Sequence, residues 1–261
     1  MVFFILIQFY KIKMNIIETH NLNFKYKNQL VLSNISLQVP IGSIYGYLGS
    51  NGSGKTTTIY VLLGLLPCKT DVIVCNQKMN TNCGRIAAYK NIGSLVSPVF
   101  MYDYLTVKEH FDMFRMLYNK TTSFANQIIE EIGLTKHCNK KVKYLSSGMK
   151  QRLAIGFAIF NEPKLLILDE PINGLDPLGI YEMRELFLLL NKQGTTIFFS
   201  SHILSEIQKL CSHVGILHDG KLLFQGSLNN LLSHKNDSLE NIYLNLLENE
   251  NPIENDQNRN I

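Results

Sequence analysis

The sequence is poor in cysteine, and it contains neither a long basic run nor an apolar run long enough to span a membrane. Among its 261 residues, five scattered cysteines form no Cys-x-x-Cys pair: Cys68, Cys75, Cys83, Cys138 and Cys211. Such an unpaired set indicates a reducing compartment and argues against a disulfide or zinc framework. The net charge of +4 comes without a cluster of Lys and Arg, so we predict no nucleic-acid partner.

The strongly apolar stretch at residues 1–7 is too short to cross a lipid bilayer. It lacks a preceding basic region and a small-residue cleavage site, so it does not read as a signal peptide. We expect residues 1–13 to be a dispensable extension, with Met14 as a second candidate start. A membrane-touching anchor is the alternative interpretation.

Residues 49–56, Gly-Ser-Asn-Gly-Ser-Gly-Lys-Thr, fit the phosphate-binding pattern G-x-x-x-x-G-K-[ST]. They follow a predicted buried strand at 44–48 and precede a predicted helix at 57–63. The glycines let the backbone wrap a phosphate chain, and the helix N-terminus adds partial positive charge. We therefore predict that these residues bind a nucleotide: Gly49, Ser50, Asn51, Gly52, Ser53, Gly54, Lys55, Thr56 and Thr57.

Four further segments contain candidate functional residues. Asp169 and Glu170 follow the apolar run 165–168, which suits a central parallel strand, and ligands bind at the carboxyl ends of such strands. His202 follows another predicted strand at 195–200; alone, such a histidine is more often structural. Ser146 is a plausible N-cap for a helix that continues to residue 160. Tyr26 could stack on a base or pack on the core, and both interpretations stay open.

The joint order of these motifs resembles the nucleotide-binding subunits of ABC transporters over about residues 14 to 247. The set comprises the phosphate loop, Leu145-Ser146-Ser147-Gly148, Leu168-Asp169-Glu170-Pro171, Gly174-Leu175-Asp176 and Ser201-His202. The Leu-Ser-x-Gly signature separates that family from other phosphate-loop ATPases. The resemblance implies an ATPase that uses ATP and Mg²⁺.

The resemblance also implies roles for single residues. Lys55 would hold the β- and γ-phosphates of ATP, and Thr56 and Asp169 would enter the Mg²⁺ shell. Glu170 would be the base that polarises the attacking water. His202 would contact the γ-phosphate and link it to that water.

Other implied roles concern the base and a second subunit. Tyr26 would stack on adenine, and Asp176 would help to join two subunits in a homodimer. The signature of one subunit would bind the γ-phosphate of the ATP held by the other. The residues that would act in this way are Ser146, Ser147, Gly148 and Met149.

The sequence departs from the family pattern at three positions. Ser147 replaces a glycine and Met149 a glutamine, a variant similar to exporters whose permeases are separate membrane proteins. Ser97 occupies the position of a glutamine that reaches Mg²⁺ and the water. Since a serine is too short to bridge that gap directly, the change bears on coupling rather than on ATP binding.

We therefore predict an ATP-hydrolysing subunit, peripheral on the cytoplasmic face of the membrane, that drives export through a separately encoded permease. The aromatic segment 98–104 would grip that permease, or else fill the core of the helical region. One alternative is a non-transport ATPase switch. Another is a regulatory subunit that hydrolyses ATP poorly, and Ser97 is the only support for this second alternative. The sequence leaves the cargo open among a peptide antibiotic, a drug and a lipid.

The predicted fold class is α/β. We expect a phosphate-loop NTPase core with a mostly parallel sheet, an antiparallel β subdomain and an inserted helical subdomain at about residues 100–160. The ATP-binding domain would span residues 14–235. Residues 236–261 would form a C-terminal helix and a disordered polar tail that begins near Glu248.

Overall fold

This computed structural model describes residues 15–96, 99–233 and 238–250. The strands are β1 (Asn15–Thr19), β2 (Leu22–Tyr26), β3 (Gln29–Ile35), β4 (Gln38–Pro40), β5 (Ile44–Gly49), β6 (Val72–Val74), β7 (Gln77–Lys78), β8 (Ile92–Leu95), β9 (Leu165–Leu168), β10 (Thr196–Ser201), β11 (His213–His218) and β12 (Lys221–Ser227). The helices are α1 (Lys55–Leu62), α2 (Asn82–Tyr89), α3 (Val107–Leu117), α4 (Thr122–Glu131), α5 (Ser147–Ile159), α6 (Pro177–Lys192), α7 (Leu204–Leu210), α8 (Leu228–Ser233) and α9 (Leu239–Glu250). Two short 3₁₀ helices lie at Thr135–His137 and Val142–Tyr144.

A six-stranded sheet in the order β12-β11-β5-β10-β9-β8 forms the centre of the molecule. Its neighbours pair in parallel except β12, which is antiparallel to β11. A four-stranded antiparallel sheet, β4-β1-β6-β7, and the β2–β3 hairpin form further β layers. The predicted α/β class with a mostly parallel sheet is confirmed.

The interior strand β9 of this sheet separates two hydrophobic clusters. Leu165 and Ile167 belong to the cluster that includes α1 and the antiparallel strands, whereas Leu166 and Leu168 belong to the cluster of the inserted helices. All four side chains are fully buried. Because successive strand residues point to opposite faces, a strand buried on both faces must be apolar throughout, as this one is.

The inserted helices begin at well-formed caps. Thr106 forms a capping box with Glu109: its hydroxyl accepts from the Glu109 N–H at 3.1 Å, and the Glu109 carboxylate accepts from the Thr106 N–H at 2.7 Å. The Thr106 N–H and the Thr106 hydroxyl both donate to the Glu109 carboxylate, and these two hydrogen bonds hold the pKa of Glu109 below its usual value. Ser146 caps α5 as predicted. Helices α3 and α4 lie within the region of about residues 100–160 where helices were expected.

Some expectations about local structure were wrong. Helix α1 begins at Lys55 rather than at residue 57, because Gly54 is its N-cap. Helices α2 and α7 were missed, and both are short, at eight and seven residues. Helix α9 continues to Glu250, past the expected start of the disordered tail.

Three predictions fall on residues that lie outside the described part of the chain: the dispensable extension at 1–13, the role of Ser97 and the polar tail after residue 250. Within the described ranges, none of the helices is both long and apolar enough to cross a membrane.

Gly93 on β8 marks a close approach between the sheet and α5. A Cβ atom at this position would lie 2.1 Å from the backbone oxygen of Ala158. Because a backbone atom cannot swing aside, we expect Gly93→Ala to lower the free energy of unfolding by about 1–3 kcal/mol. The exposed neighbour Ser94 offers a control, since Ser94→Ala should change the free energy of unfolding by less than about 0.5 kcal/mol. Denaturant unfolding of both variants measures the difference, and equal losses would contradict the close approach.

Candidate functional site

The phosphate loop connects the end of β5 to the start of α1. Gly52 and Gly54 adopt positive φ angles of 83° and 109°, a region that glycine enters without steric cost. A Cβ atom at Gly54 would also lie 2.8 Å from the Leu32 side chain on β3. The tight path of the loop therefore depends on glycine at this position.

Lys55 is buried at the base of this loop, with a side chain that is only 6% exposed. Its Nζ donates to the backbone oxygens of Gly49 at 2.8 Å and Ser50 at 3.0 Å. A third contact joins Nζ to Glu170 Oε1 at 3.2 Å. Because an ammonium group has three donors, all of its hydrogen-bonding capacity is used.

Ser53 has a polar atom that lacks a partner. Its hydroxyl is buried, and among the residues that the structure describes it has no hydrogen-bond partner. A buried hydroxyl without a partner is unfavourable. A phosphate oxygen bound in the loop is the kind of acceptor that would satisfy it.

Two adjacent carboxylates stand beside the loop at the carboxyl end of β9. The Thr56 hydroxyl donates to Asp169 Oδ2 at 2.8 Å. The Ser200 hydroxyl donates to Asp169 Oδ1 at 2.6 Å and accepts from the Glu170 N–H at 2.9 Å. Ser200 therefore fixes both the side chain of Asp169 and the backbone of Glu170.

Glu170 joins Lys55 to His202. Its second carboxylate oxygen, Oε2, lies 3.0 Å from His202 Nδ1. The Glu170 backbone has a φ of 48°, which is unfavourable for a residue with a side chain and is typical of constrained functional positions. One carboxylate thus links the loop lysine to the end of β10.

The Thr56 hydroxyl and the Asp169 carboxylate are suitable ligands for Mg²⁺. Both groups offer oxygen atoms, the donors that this ion prefers, and they already lie within hydrogen-bond distance of one another. Mg²⁺ is commonly held by one or two protein groups together with substrate phosphates. The residues present therefore fit a Mg²⁺ ion that is shared with a nucleotide.

The signature residues lie elsewhere, at the N-terminus of α5. The Ser146 hydroxyl accepts from the Met149 N–H at 3.3 Å, and Ser146 and Ser147 are exposed. Within the described part of the chain, no hydrogen bond or ion pair joins residues 146–149 to residues 49–57. The structure therefore separates the signature from the phosphate loop of the same chain.

The remaining predicted residues have local contacts or fall outside the described residues. Asp176 caps α6, and its Oδ1 accepts from the Gly179 N–H at 3.0 Å. Tyr26 ends β2 with 44% of its surface exposed, and its ring meets Phe24 edge-on at 5.0 Å. Ser97 lies outside the described residues.

Sequence reasoning missed Ser200. Its signal was weak, because a serine two residues before His202 at the end of an apolar strand resembles an ordinary strand terminus. Its role depends on pairing between β9 and β10, which places Phe199 opposite Leu168. A contact across two strands is not readable from a single segment.

Comparisons with known proteins agree on one family. The family model described as ABC transporter matches residues 32–173. The chain is 44% identical to the bacitracin transport ATP-binding protein BcrA of Bacillus licheniformis, over 80% of this chain and 68% of that protein. It is 34% identical to the lantibiotic transport ATP-binding protein SrtF of Streptococcus pyogenes, over 80% of this chain and 90% of that protein. The solved structure of an ATP binding subunit of an ABC transporter matches with a TM-score of 0.78 and 28% identity, over 89% of this chain and 99% of that one.

Removal of the Ser200 hydroxyl should leave the Asp169 Oδ1 atom and the Glu170 N–H without this hydrogen-bond partner. We expect Ser200→Ala to lower the free energy of unfolding by about 1–3 kcal/mol. Ser43→Ala is the matched control, because Ser43 is also buried but donates only to the Pro40 backbone oxygen. The free energy of unfolding should fall less in Ser43→Ala, by about 1 kcal/mol. Chemical denaturation compares the two, and a smaller loss for Ser200→Ala would contradict its bridging role.

Proposed function

This chain belongs to the ABC transporter family of ATP-binding proteins, and we propose that Lys55, Thr56, Asp169, Glu170 and His202 form its site of ATP hydrolysis. As a member of this family it binds a nucleotide and is the ATPase subunit of a transporter. The observation that carries the proposal is the Glu170 carboxylate, which contacts both Lys55 and His202.

Lys55 would hold the β- and γ-phosphates of ATP. Two of its donors remain with the loop carbonyls, so an incoming phosphate must take the third donor, which now contacts Glu170. Because the phosphate is the stronger anion, it would displace the Glu170 carboxylate from Lys55. Nucleotide binding would thereby release Glu170 to accept a proton.

Glu170 would then act as the base that polarises the attacking water. Phosphoryl transfer depends mainly on in-line positioning and on neutralisation of charge. His202, whose Nδ1 contacts Glu170, would direct its other ring nitrogen to the γ-phosphate. Thr56 and Asp169 would hold Mg²⁺, which neutralises phosphate charge when bound.

Two subunits would share each ATP. Ser146, Ser147, Gly148 and Met149 lie at the start of a 13-residue helix, where the backbone N–H groups and the helix dipole favour an anion. Since no hydrogen bond or ion pair in the described part of the chain joins these residues to their own phosphate loop, we propose that they bind the γ-phosphate held by a second copy of the chain. Asp176 would support that homodimer contact, and the exposed ring of Tyr26 would stack on adenine.

The aromatic loop, defined as residues 99–104, would contact the permease. Phe100, Tyr102 and Tyr104 are 90%, 63% and 74% exposed, whereas Met101 packs against the core. An open cavity of about 500 Å³ lies between this loop and Met113. Exposed aromatic clusters mark interaction sites, which favours docking over core filling for the three aromatic rings.

We propose that the partner is a separately encoded permease and that the complex exports a peptide antibiotic. The names of the relatives BcrA and SrtF, which refer to bacitracin and lantibiotic transport, support this class of cargo. The chain would act as a peripheral subunit on the cytoplasmic face of the membrane. Ser97 would stand at the glutamine position between the site and the permease.

Replacing the proposed base should stop turnover without preventing binding. We expect Glu170→Gln to lower ATP turnover by about 10² or more, because the amide cannot accept a proton from water. Glu185→Gln on the exposed face of α6 is the control for the lost charge, and it should keep normal turnover. Phosphate release and nucleotide binding measure the two steps. Equal turnover in Glu170→Gln and the unchanged chain would exclude this role.

A mixing experiment tests the shared site. Ser146→Arg damages only the signature, and Lys55→Ala damages only the phosphate loop, so each homodimer has two defective sites. A heterodimer of the two variants holds one site built from intact parts. ATP turnover should therefore return on mixing, to at most about half of the normal value. If labelled heterodimers form and no activity returns, the two subunits do not share the site as proposed.

A further inference from the structure

His110 lies buried beneath the aromatic loop, with only 3% of its surface exposed. It belongs to the first turns of α3. Its Nδ1 lies 2.9 Å from the backbone oxygen of Thr106, and its Nε2 accepts a hydrogen bond from the Tyr102 N–H at 3.1 Å. Both ring nitrogens are therefore paired with backbone groups.

These two partners determine which nitrogen carries the proton. A carbonyl oxygen can only accept a hydrogen bond, so Nδ1 must carry the hydrogen that faces Thr106. A backbone N–H can only donate, so Nε2 must present a lone pair to Tyr102. The geometry therefore selects the neutral Nδ1–H tautomer.

Further hydrogen bonds hold the loop near this anchor. The Tyr102 backbone oxygen accepts from the Leu105 N–H at 3.1 Å, and the Asp103 oxygen accepts from the Lys143 N–H at 3.1 Å. The loop thus has a fixed backbone, although its three aromatic rings face solvent. Open cavities of about 500 Å³ and about 330 Å³ lie beside it.

The His110 ring also reaches the helix that starts at the signature. It stacks on Phe157 of α5, with ring centroids 5.6 Å apart and an angle of 27° between the planes. The centroid of the His110 ring also lies 6.0 Å from the centroid of the Tyr102 ring. One buried ring therefore contacts both the aromatic loop and α5.

We propose that His110 is a positioning residue for permease docking. Its Nδ1–H tautomer holds the Tyr102 backbone, so that Phe100, Tyr102 and Tyr104 receive a short apolar segment of the permease in one fixed arrangement. A loop that is ordered before binding loses less entropy when the partner docks. This inference rests on the proposed function, because it assigns a determinant to the docking surface described there.

Three variants of the full chain test the proposal. His110→Phe keeps the ring stacking but removes both hydrogen bonds, whereas His110→Gln retains an amide oxygen that can accept from the Tyr102 N–H. His137→Phe is the matched control, since His137 lies in the same helical region but not in the aromatic loop or in α3. Chymotrypsin cleaves after aromatic residues, so it reports opening of the loop. We expect His110→Phe to raise cleavage after Phe100, Tyr102 and Tyr104 about tenfold, with little change in His110→Gln or His137→Phe.

Docking is measured with inverted membrane vesicles from the source cells, stripped of peripheral proteins. His110→Phe should bind them about tenfold more weakly, and His110→Gln should recover most of the binding, while ATP turnover stays normal in both. Normal vesicle binding by His110→Phe would overturn this inference. If the unchanged chain itself does not bind the vesicles, the proposed permease contact fails instead.

A measurement on the unchanged chain covers the case in which His110→Phe does not fold. The ¹⁵N-histidine NMR spectrum distinguishes the two neutral tautomers, and the signal that disappears in His110→Gln identifies His110. A neutral Nδ1–H pattern supports the proposal. An Nε2–H or doubly protonated ring at neutral pH would overturn it, because neither form can accept from the Tyr102 N–H.

Discussion

Parallel pairing of β10 with both β5 and β9 is the constraint on which the site depends. It places Ser201 opposite Leu48 and Phe199 opposite Leu168, so the phosphate loop, the two carboxylates and His202 leave the sheet at one edge. A shift of one residue would turn each side chain to the other face of the sheet. The buried apolar residues that fix this register, such as Phe198 and Ile167, therefore also fix the distances between the charged groups.

Glu170 forms electrostatic contacts with both Lys55 and His202. One carboxylate oxygen faces a buried ammonium and the other faces an imidazole, while a left-handed backbone directs the side chain between them. The unfavourable φ angle costs of order 1–3 kcal/mol. The hydrogen bond from its N–H to Ser200 helps to hold that conformation. Ser200 thus supports the residue that contacts the loop lysine.

The features that could be predicted from the sequence are those that depend on a single contiguous segment. The phosphate loop, the cap at Ser146, the α/β class and the buried strand β9 follow from local patterns, and the family follows from the order of the motifs. The contacts of Ser200 with Asp169 and of His110 with Tyr102 could not be predicted from the sequence. Both join separate segments, and they depend on strand pairing and helix packing. Helix α2 was missed because it is short and only Gly84 and Ala88 are buried, so its hydrophobic pattern is weak.

The strand order also affects how the chain is made. β5 carries the phosphate loop, yet both of its neighbours in the sheet, β10 and β11, lie in residues 196–218, in the last third of the chain. While a ribosome extends the chain at about 5–20 residues per second, β5 has no sheet partner for roughly 7–30 seconds. During that interval its apolar side chains must be covered by the early β layers or by a chaperone. A chain released before β10 is synthesised would therefore have an intact phosphate-loop sequence but no strand to pair with β5.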